Sequence, residues 1–295
     1  MPDYEFFAFD PATDALAPQP FEVFAYPMGD LTVRSLGTDI HPGAQVLWVH
    51  TAAPDWTVVF NWATLVQTFD RRILVLPYLP SARGDKDSPS PARTNATLAA
   101  ASGVTDIVTI DPHSPIWLDS LQAANPSVAR WSLDLADVVG AALGGNDYLG
   151  VIGPDAGSTE RASGVASALG VPVFIAAKQR DHATGRITGY AAPDGLHDRR
   201  GRYLVVDDIC DGGGTFVLLA DSVGPDIELD LWVTHGGFTK GPDELLARYR
   251  NVHTTDSLQS AVRAHAASDH LRIHPLLTAV TTAIRHIAES ESEQR

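Results

Sequence analysis

The chain has 295 residues, of which 21 are basic and 36 acidic, for a formal net charge of −15. That excess of acid argues against general binding to nucleic acid or to an anionic membrane, because a phosphate backbone calls for an excess of Lys and Arg. A hydrophobic fraction of 44% with 19% charged residues excludes a disordered chain and supports a packed core, at a length that suits two ordinary domains.

The acidic opening segment MPDYEFFAFDPATD lacks the charged-then-apolar pattern of a signal peptide. No apolar run approaches the ~20 residues needed to cross a bilayer. The one cysteine, Cys210, leaves no internal disulfide and fits a reducing compartment. The expectation is a cytoplasmic protein without membrane or nucleic-acid partners.

In chain order, short apolar runs each end in polar, loop-forming residues. Ile73–Pro77 leads into Tyr78–Lys86, Ile107–Ile110 into Asp111-Pro-His-Ser, and Leu149–Ile152 into Gly153-Pro-Asp-Ala-Gly-Ser. Val171–Ala176 leads into Ala177-Lys-Gln-Arg, Tyr203–Val206 into Asp207-Asp, and Leu229–Thr234 into His235-Gly-Gly-Phe. Such runs predict strands buried on both faces. Thr94–Ser102, Ser158–Leu169 and Thr215–Val223 read as helices between them, and the tail Pro275–Glu289 puts Leu276, Val280, Ile284 and Ile287 on one helical face. The alternation implies a parallel α/β architecture, with ligands beyond the C-terminal strand ends. It occurs twice, so we expect two similar α/β domains, residues 1–145 and 146–295, with the C-terminal helix packing back on the first half.

The richest segment is Arg202–Phe216, RYLVVDDICDGGGTF. A buried strand runs into Asp207 and Asp208, and Asp211-Gly212-Gly213-Gly214-Thr215 then opens a helix. Glycines let the backbone fold around a phosphate and turn N–H groups towards it. Carboxylates cannot hold phosphate, so the acids suit sugar hydroxyls or a divalent metal. No Gly-Lys-Ser/Thr follows, so this is not a Walker A loop. The acids precede the glycines, so it is not a dinucleotide fingerprint either.

This loop resembles the phosphoribosyl-pyrophosphate (PRPP) signature of type I phosphoribosyltransferases and ribose-phosphate diphosphokinases. Further segments over roughly Tyr26–Phe238 resemble the diphosphokinases in order: PYLPSARGDK (Pro77–Lys86), DPHS (Asp111–Ser114), GPDAGSTER (Gly153–Arg161), KQR (Lys178–Arg180) and VTHGGF (Val233–Phe238). The resemblance implies two phosphoribosyltransferase-like domains, each a mostly parallel sheet flanked by helices. It implies transfer of the β,γ-pyrophosphate of ATP to C1 of a phosphorylated ribose, with Mg²⁺ as cofactor and a homodimer or homohexamer as the assembly. Catalysis falls to Lys178, Arg180 and His113, because paired cations stabilise the charge growing on the transferred group. ATP falls to Tyr26, Asp30, Arg83, Asp85 and His113. The sugar phosphate falls to Asp207, Asp208, Asp211, Gly212, Gly213, Gly214 and Thr215, and pyrophosphate to Asp155, Ala156, Gly157 and Ser158. Metal falls to His113, Asp155, Asp207 and Asp208, and Asp181–Tyr190 reads as a closing lid. Cys210 reads as an apolar spacer.

The sequence departs from the family in three places. Tyr26-Pro27-Met28-Gly29-Asp30 replaces a Phe-x-Asp-Gly-Glu stretch, and Arg83-Gly84-Asp85 replaces Arg-Gln-Asp. Gly212 replaces a Thr or Ser, which removes a hydroxyl whose bond to a charged group is worth about 1.5–3 kcal/mol. That gap opens a second reading, in which the acceptor is a 5-substituted ribose such as ADP-ribose in NAD salvage. Readings from other classes are a phosphoribosyltransferase that consumes PRPP and an inactive regulatory homologue.

Overall fold

The computed structural model describes residues 3–145, 147–180, 187–191, 193, 195–196, 200–266 and 268–290, with backbone alone at 179, 180, 187 and 188. In chain order the first strands are β1 (Tyr4–Asp10), β2 (Ala15–Pro18), β3 (Phe21–Ala25), β4 (Leu31–Ser35) and β5 (Gln45–Val49). They are followed by α1 (Trp56–Leu65), β6 (Arg72–Val75), α2 (Pro91–Ala101), β7 (Asp106–Ile110), α3 (Ile116–Ala124) and β8 (Ala129–Leu133). Next come α4 (Leu135–Leu143), β9 (Gly150–Gly153), α5 (Thr159–Leu169), β10 (Val173–Ile175), β11 (Ala177–Arg180) and β12 (Ile187–Ala191). The last elements are β13 (Gly201–Cys210), α6 (Gly214–Ala220), β14 (Ile227–Gly236), α7 (Asp243–Leu246), β15 (Val252–Thr255), α8 (Gln259–His265), β16 (Leu271–His274) and α9 (Leu277–Glu289).

These elements form two units, Met1–Leu133 with Leu276–Arg295, and Asp134–Pro275. In the first, the sheet order is β2-β1-β5-β6-β7-β8. From β5 to β8 the strands run parallel, and β1 and β2 add an antiparallel edge. Every residue of β5 and β7 is buried, as expected of strands covered on both faces. Helices start where a cap is at hand. The Asp55 carboxylate accepts from the Thr57 N–H at 2.8 Å, and Ser90 caps α2 ahead of Pro91, whose missing N–H costs nothing in the first turn. Helix α9 returns to this unit and packs on β1 and β8 with Leu276, Val280, Ile284 and Ile287 buried. These are the four residues that its period places on one face.

The second unit has an all-parallel sheet, β10-β9-β13-β14-β15-β16, and a separate β11–β12 hairpin. Helix α4 lies in this unit against α5, so the unit begins before the boundary expected near residue 146. Strand β13 is longer than the apolar run Tyr203–Val206. Its pairing with β14 continues through Asp207↔Val233 and Cys210↔Gly236, which carries the two acids into the sheet.

A buried polar network ties the opposite end of the sheet. Asp230 on β14 is fully buried, accepts from the Tyr148 hydroxyl at 2.7 Å and Arg202 at 3.1 Å, and accepts the Asn251 backbone and side-chain N–H groups. Burial opposes its charge, but His253, Tyr148 and Arg202 outweigh burial and hold its pKa near 2. Burial also pushes His274 down to about 4, helped by His253 and Arg272. Both shifts work in one direction. A neutral, half-buried His274 stabilises the fold above its unfolded value of ~6.5 and loses that contribution as pH falls to about 4. Asp230 adds stability above its unfolded value of ~4, lost as pH falls towards 2. Urea midpoints should therefore fall steadily from pH 7 to pH 3, and Asp230→Asn should flatten the lower half of that slope while lowering the midpoint at pH 7.

Candidate active site

In the second unit the polar loops follow the C-terminal ends of β9, β13 and β14, side by side in the sheet. The acids at the end of β13 face one cation. Arg161 of α5 places Nη1 3.2 Å from Asp207 Oδ1 and Nη2 3.6 Å from Asp208 Oδ2, with all three side chains largely buried. Burial raises the Asp207 pKa well above the carboxylate range, and the neighbouring Asp208 charge adds to this, while Arg161 opposes both. Burial and the neighbouring acid thus favour the neutral form of Asp207, and Arg161 favours the charged one.

The loop after β13 turns at Gly213, whose φ of +76° is a left-handed conformation that favours glycine. The amides of Gly214 and Thr215 open α6 and have no preceding helical carbonyl to bond. The β14 loop holds this turn in place. Gly237 and Phe238 donate to the Cys210 carbonyl at 2.8 and 3.1 Å, and the Thr239 hydroxyl donates to Asp211 at 2.6 Å. Cys210 itself is buried, and burial, with Asp211 and Asp207 nearby, pushes its thiol up to about 12, so it is an inert spacer.

After β9, Asp155 caps its own turn. Its carboxylate accepts from the Gly157 and Ser158 amides at 2.8 and 3.2 Å and pairs with the Lys178 ammonium. Burial raises the Asp155 pKa, but Lys178 and the two amides outweigh burial and leave it below the ordinary range. The amides expected to hold pyrophosphate thus bond Asp155, because a carboxylate two and three residues upstream satisfies them locally.

Lys178 is on β11, directly opposite Tyr190 on β12. The expected lid, Asp181–Tyr190, ends on β12, and its residues 181–186 lie outside the described residues. The ladder shifts register between Gln179 and Arg180, and the Arg180 side chain lies outside the described residues. Tyr190 is 4% exposed, and among the described residues its hydroxyl makes no hydrogen bond. That hydroxyl faces Thr215 at a geometry short of a bond, in the field of Lys178, Asp155 and Asp207. The two ion-pair clusters and the glycine loop thus meet at one buried, unsatisfied donor.

Tyr26, Asp30, Arg83, Asp85 and His113 belong to the first unit. Arg83 is exposed on a tight turn after β6, with Asp85 buried beneath it, and exposed His113 follows β7, the strand next to β6. A side chain at Gly84 would put its Cβ 2.5 Å from Pro91 Cγ, so this turn excludes the larger residue that the family pattern carries there. Tyr26 to Asp30 form the turn of the β3–β4 hairpin, where Tyr26 donates to the Asp30 carbonyl at 2.8 Å and Met28 is 93% exposed. Among the described residues no three His, Cys, Asp or Glu side chains converge as metal ligands. Of the expected set, His113 belongs to the first unit and the three acids to the second, where Asp155 is paired with Lys178 and the strand-end acids with Arg161.

Sequence reading did not assign roles to Arg161 or Tyr190. Arg161 did carry a signal, since it is a cation in the first turn of a helix, where the backbone dipole disfavours positive charge. Tyr190 carried none, because its position comes from hairpin pairing.

Parallel sheets with acids and a glycine turn at the strand ends define a phosphoribosyltransferase-type fold. The Phosphoribosyl transferase domain family matches residues 133–224. The ribose-phosphate pyrophosphokinase of Maricaulis maris is 30% identical over 247 residues, covering 77% of this chain and 74% of that protein. That of Streptomyces coelicolor is 28% identical over 291 residues, covering 92% and 86%. The crystal structure of phosphoribosylpyrophosphate synthetase from Mycobacterium smegmatis shares the fold, with a TM-score of 0.73 and 21% identity over 93% of this chain and 92% of that one. The chain belongs to the ribose-phosphate pyrophosphokinase family, as a divergent member.

Removing the shared guanidinium takes away the cation that opposes the rise in the Asp207 pKa. In Arg161→Ala, the Asp207 carboxyl should titrate at higher pH than in the wild type, read by carboxyl ¹³C NMR. An unchanged titration would show that Arg161 does not bear on this pair.

Proposed function

We propose that the protein transfers the β,γ-pyrophosphate of ATP to the C1 hydroxyl of ribose 5-phosphate, releasing AMP and forming PRPP. Family membership supports the general reaction. The observation that carries the reading to this chain's residues is the meeting of Lys178–Asp155, Arg161–Asp207–Asp208 and the Gly212–Thr215 loop around Tyr190. The sugar oxygen forms a bond to the β-phosphorus of ATP, and the bond from that phosphorus to the α-phosphate oxygen breaks in line with it. Asp207 and Asp208 orient the ribose hydroxyls, and the loop amides bind the 5-phosphate. Lys178 gives up Asp155 to meet the oxygens of the transferring group, where a cation stabilises the transition state more than the ground state. Arg180 is its proposed second cation. Arg83, Asp85 and His113 are the proposed nucleotide contacts, with the Tyr26–Asp30 turn serving a neighbouring copy in a homo-oligomer.

Asp207 and Asp208 fit a Mg²⁺ ion. They are hard oxygen donors side by side at the strand end, and a bound cation would oppose the burial and the Asp208 repulsion that raise Asp207. Bound there, Mg²⁺ supplies charge neutralisation for the phosphate oxygens.

A second reading keeps the chemistry and changes the acceptor to ADP-ribose. It is favoured by a cavity of about 330 Å³ along Gly212, Gly213 and Gly214, which gives room for a substituent on the 5-phosphate. AMP release measured with Mg·ATP and each sugar in turn separates the readings, and no AMP with either sugar sinks both. Lys178→Ala should lower kcat by about 10²-fold or more with the fold retained. Unchanged turnover in that variant would remove Lys178 from the chemistry.

A further inference from the structure

Lys240 stands where the glycine loop lacks a side chain. Phe238 to Gly241 form a tight turn, closed by the Gly241 N–H donating to the Phe238 carbonyl at 2.8 Å, with φ of +45° at Phe238 and +77° at Gly241. This turn is pinned to the start of the sugar-phosphate loop, through the Gly237 and Phe238 amides on the Cys210 carbonyl and through Thr239 on Asp211. Lys240 sits at its corner. A Cβ built on Gly212 would meet the Lys240 stem at Cε 3.3 Å, Cδ 3.4 Å and Cγ 3.6 Å. The stem therefore lies against the space that a Thr or Ser at this position would use, and the ammonium is one bond beyond Cε.

The same lysine lines the cavity that runs along the three glycines. Among the described residues Lys240 makes no ion pair or hydrogen bond. Glu244 also lines the cavity, and Arg248 stands beside it, donating to its carbonyl at 3.0 Å. An ammonium offers three donors and a full charge to a phosphoryl group, whereas a hydroxyl offers one neutral donor.

Resting on the reading above, we infer that Lys240 is a specificity-determining residue that binds the phosphoryl group on C5 of the sugar, in place of the side chain missing at Gly212. The two positions form one unit. Glycine at 212 leaves room for the lysine stem, and the lysine supplies the charge that the lost hydroxyl does not.

The test measures binding of ribose 5-phosphate and of ADP-ribose by calorimetry, with steady-state KM values for sugar and ATP. For the sugar that the wild type uses, Lys240→Ala should raise Kd and sugar KM about tenfold or more, with the ATP KM within about twofold. Lys240→Arg should recover most of the loss. Gly212→Thr alone should weaken sugar binding by pressing on the lysine stem. The double variant Gly212→Thr/Lys240→Ala should bind better than Gly212→Thr, because the stem is gone and the hydroxyl is restored. An unchanged sugar Kd in a folded Lys240→Ala, equal losses for sugar and ATP, or simple additivity in the double variant overturns the inference and leaves the parent reading standing. A wild type that binds neither sugar overturns both.

Discussion

Two adjacent carboxylates at the end of a buried strand are the constraint around which the second unit is organised. Asp207 and Asp208 are carried into the sheet by the pairing of β13 with β14, and burial there disfavours their charge. Arg161 makes the arrangement tolerable, and it reaches them because α5 follows β9, the neighbour of β13. The strand end presents carboxyl oxygens, donors of the kind that the proposed sugar hydroxyls and divalent cation would call for. The loops beside it have the opposite character, built of glycine, amide and lysine, and suit the phosphates of the same substrates.

Lys178 and Arg161 are each held by an ion pair. Lys178 rests on Asp155, and the turn amides at Gly157 and Ser158 rest on the same carboxylate. On the proposed reading, an incoming phosphate would compete with Asp155 for all three donors at once. Tyr190 differs, because its buried hydroxyl has no hydrogen bond among the described residues to give up.

Two of the three departures from the family pattern have physical reasons in the packing. Gly84 is confined by Pro91, so a longer residue has no room on that turn. Gly212 is confined by the Lys240 stem. A change that reads in the sequence as a deleted side chain is, in the folded chain, space taken by a residue distant in sequence. Met28 has no such partner. It stands exposed at the tip of a hairpin, and nothing within its own unit explains it.

Much was legible in the sequence because the signals were local. Continuous β-branched runs mark strands covered on both faces, the 3.6-residue period marks the buried face of α9, and the Asp-Asp…Asp-Gly-Gly-Gly-Thr run marks its own chemistry. The length of β13 was hidden, since acids do not look like strand residues until a partner strand and Arg161 compensate them. The hairpin between Lys178 and Tyr190 was hidden too, because cross-strand pairing depends on register and not on composition. The sequence by itself determined the class of fold and singled out Asp207–Thr215 as the loop whose residue types suit a sugar phosphate. Only the tertiary structure decided which cation faces which carboxylate, and that Lys240 fills the gap at Gly212, because charge pairing and excluded volume act between residues that only folding brings together.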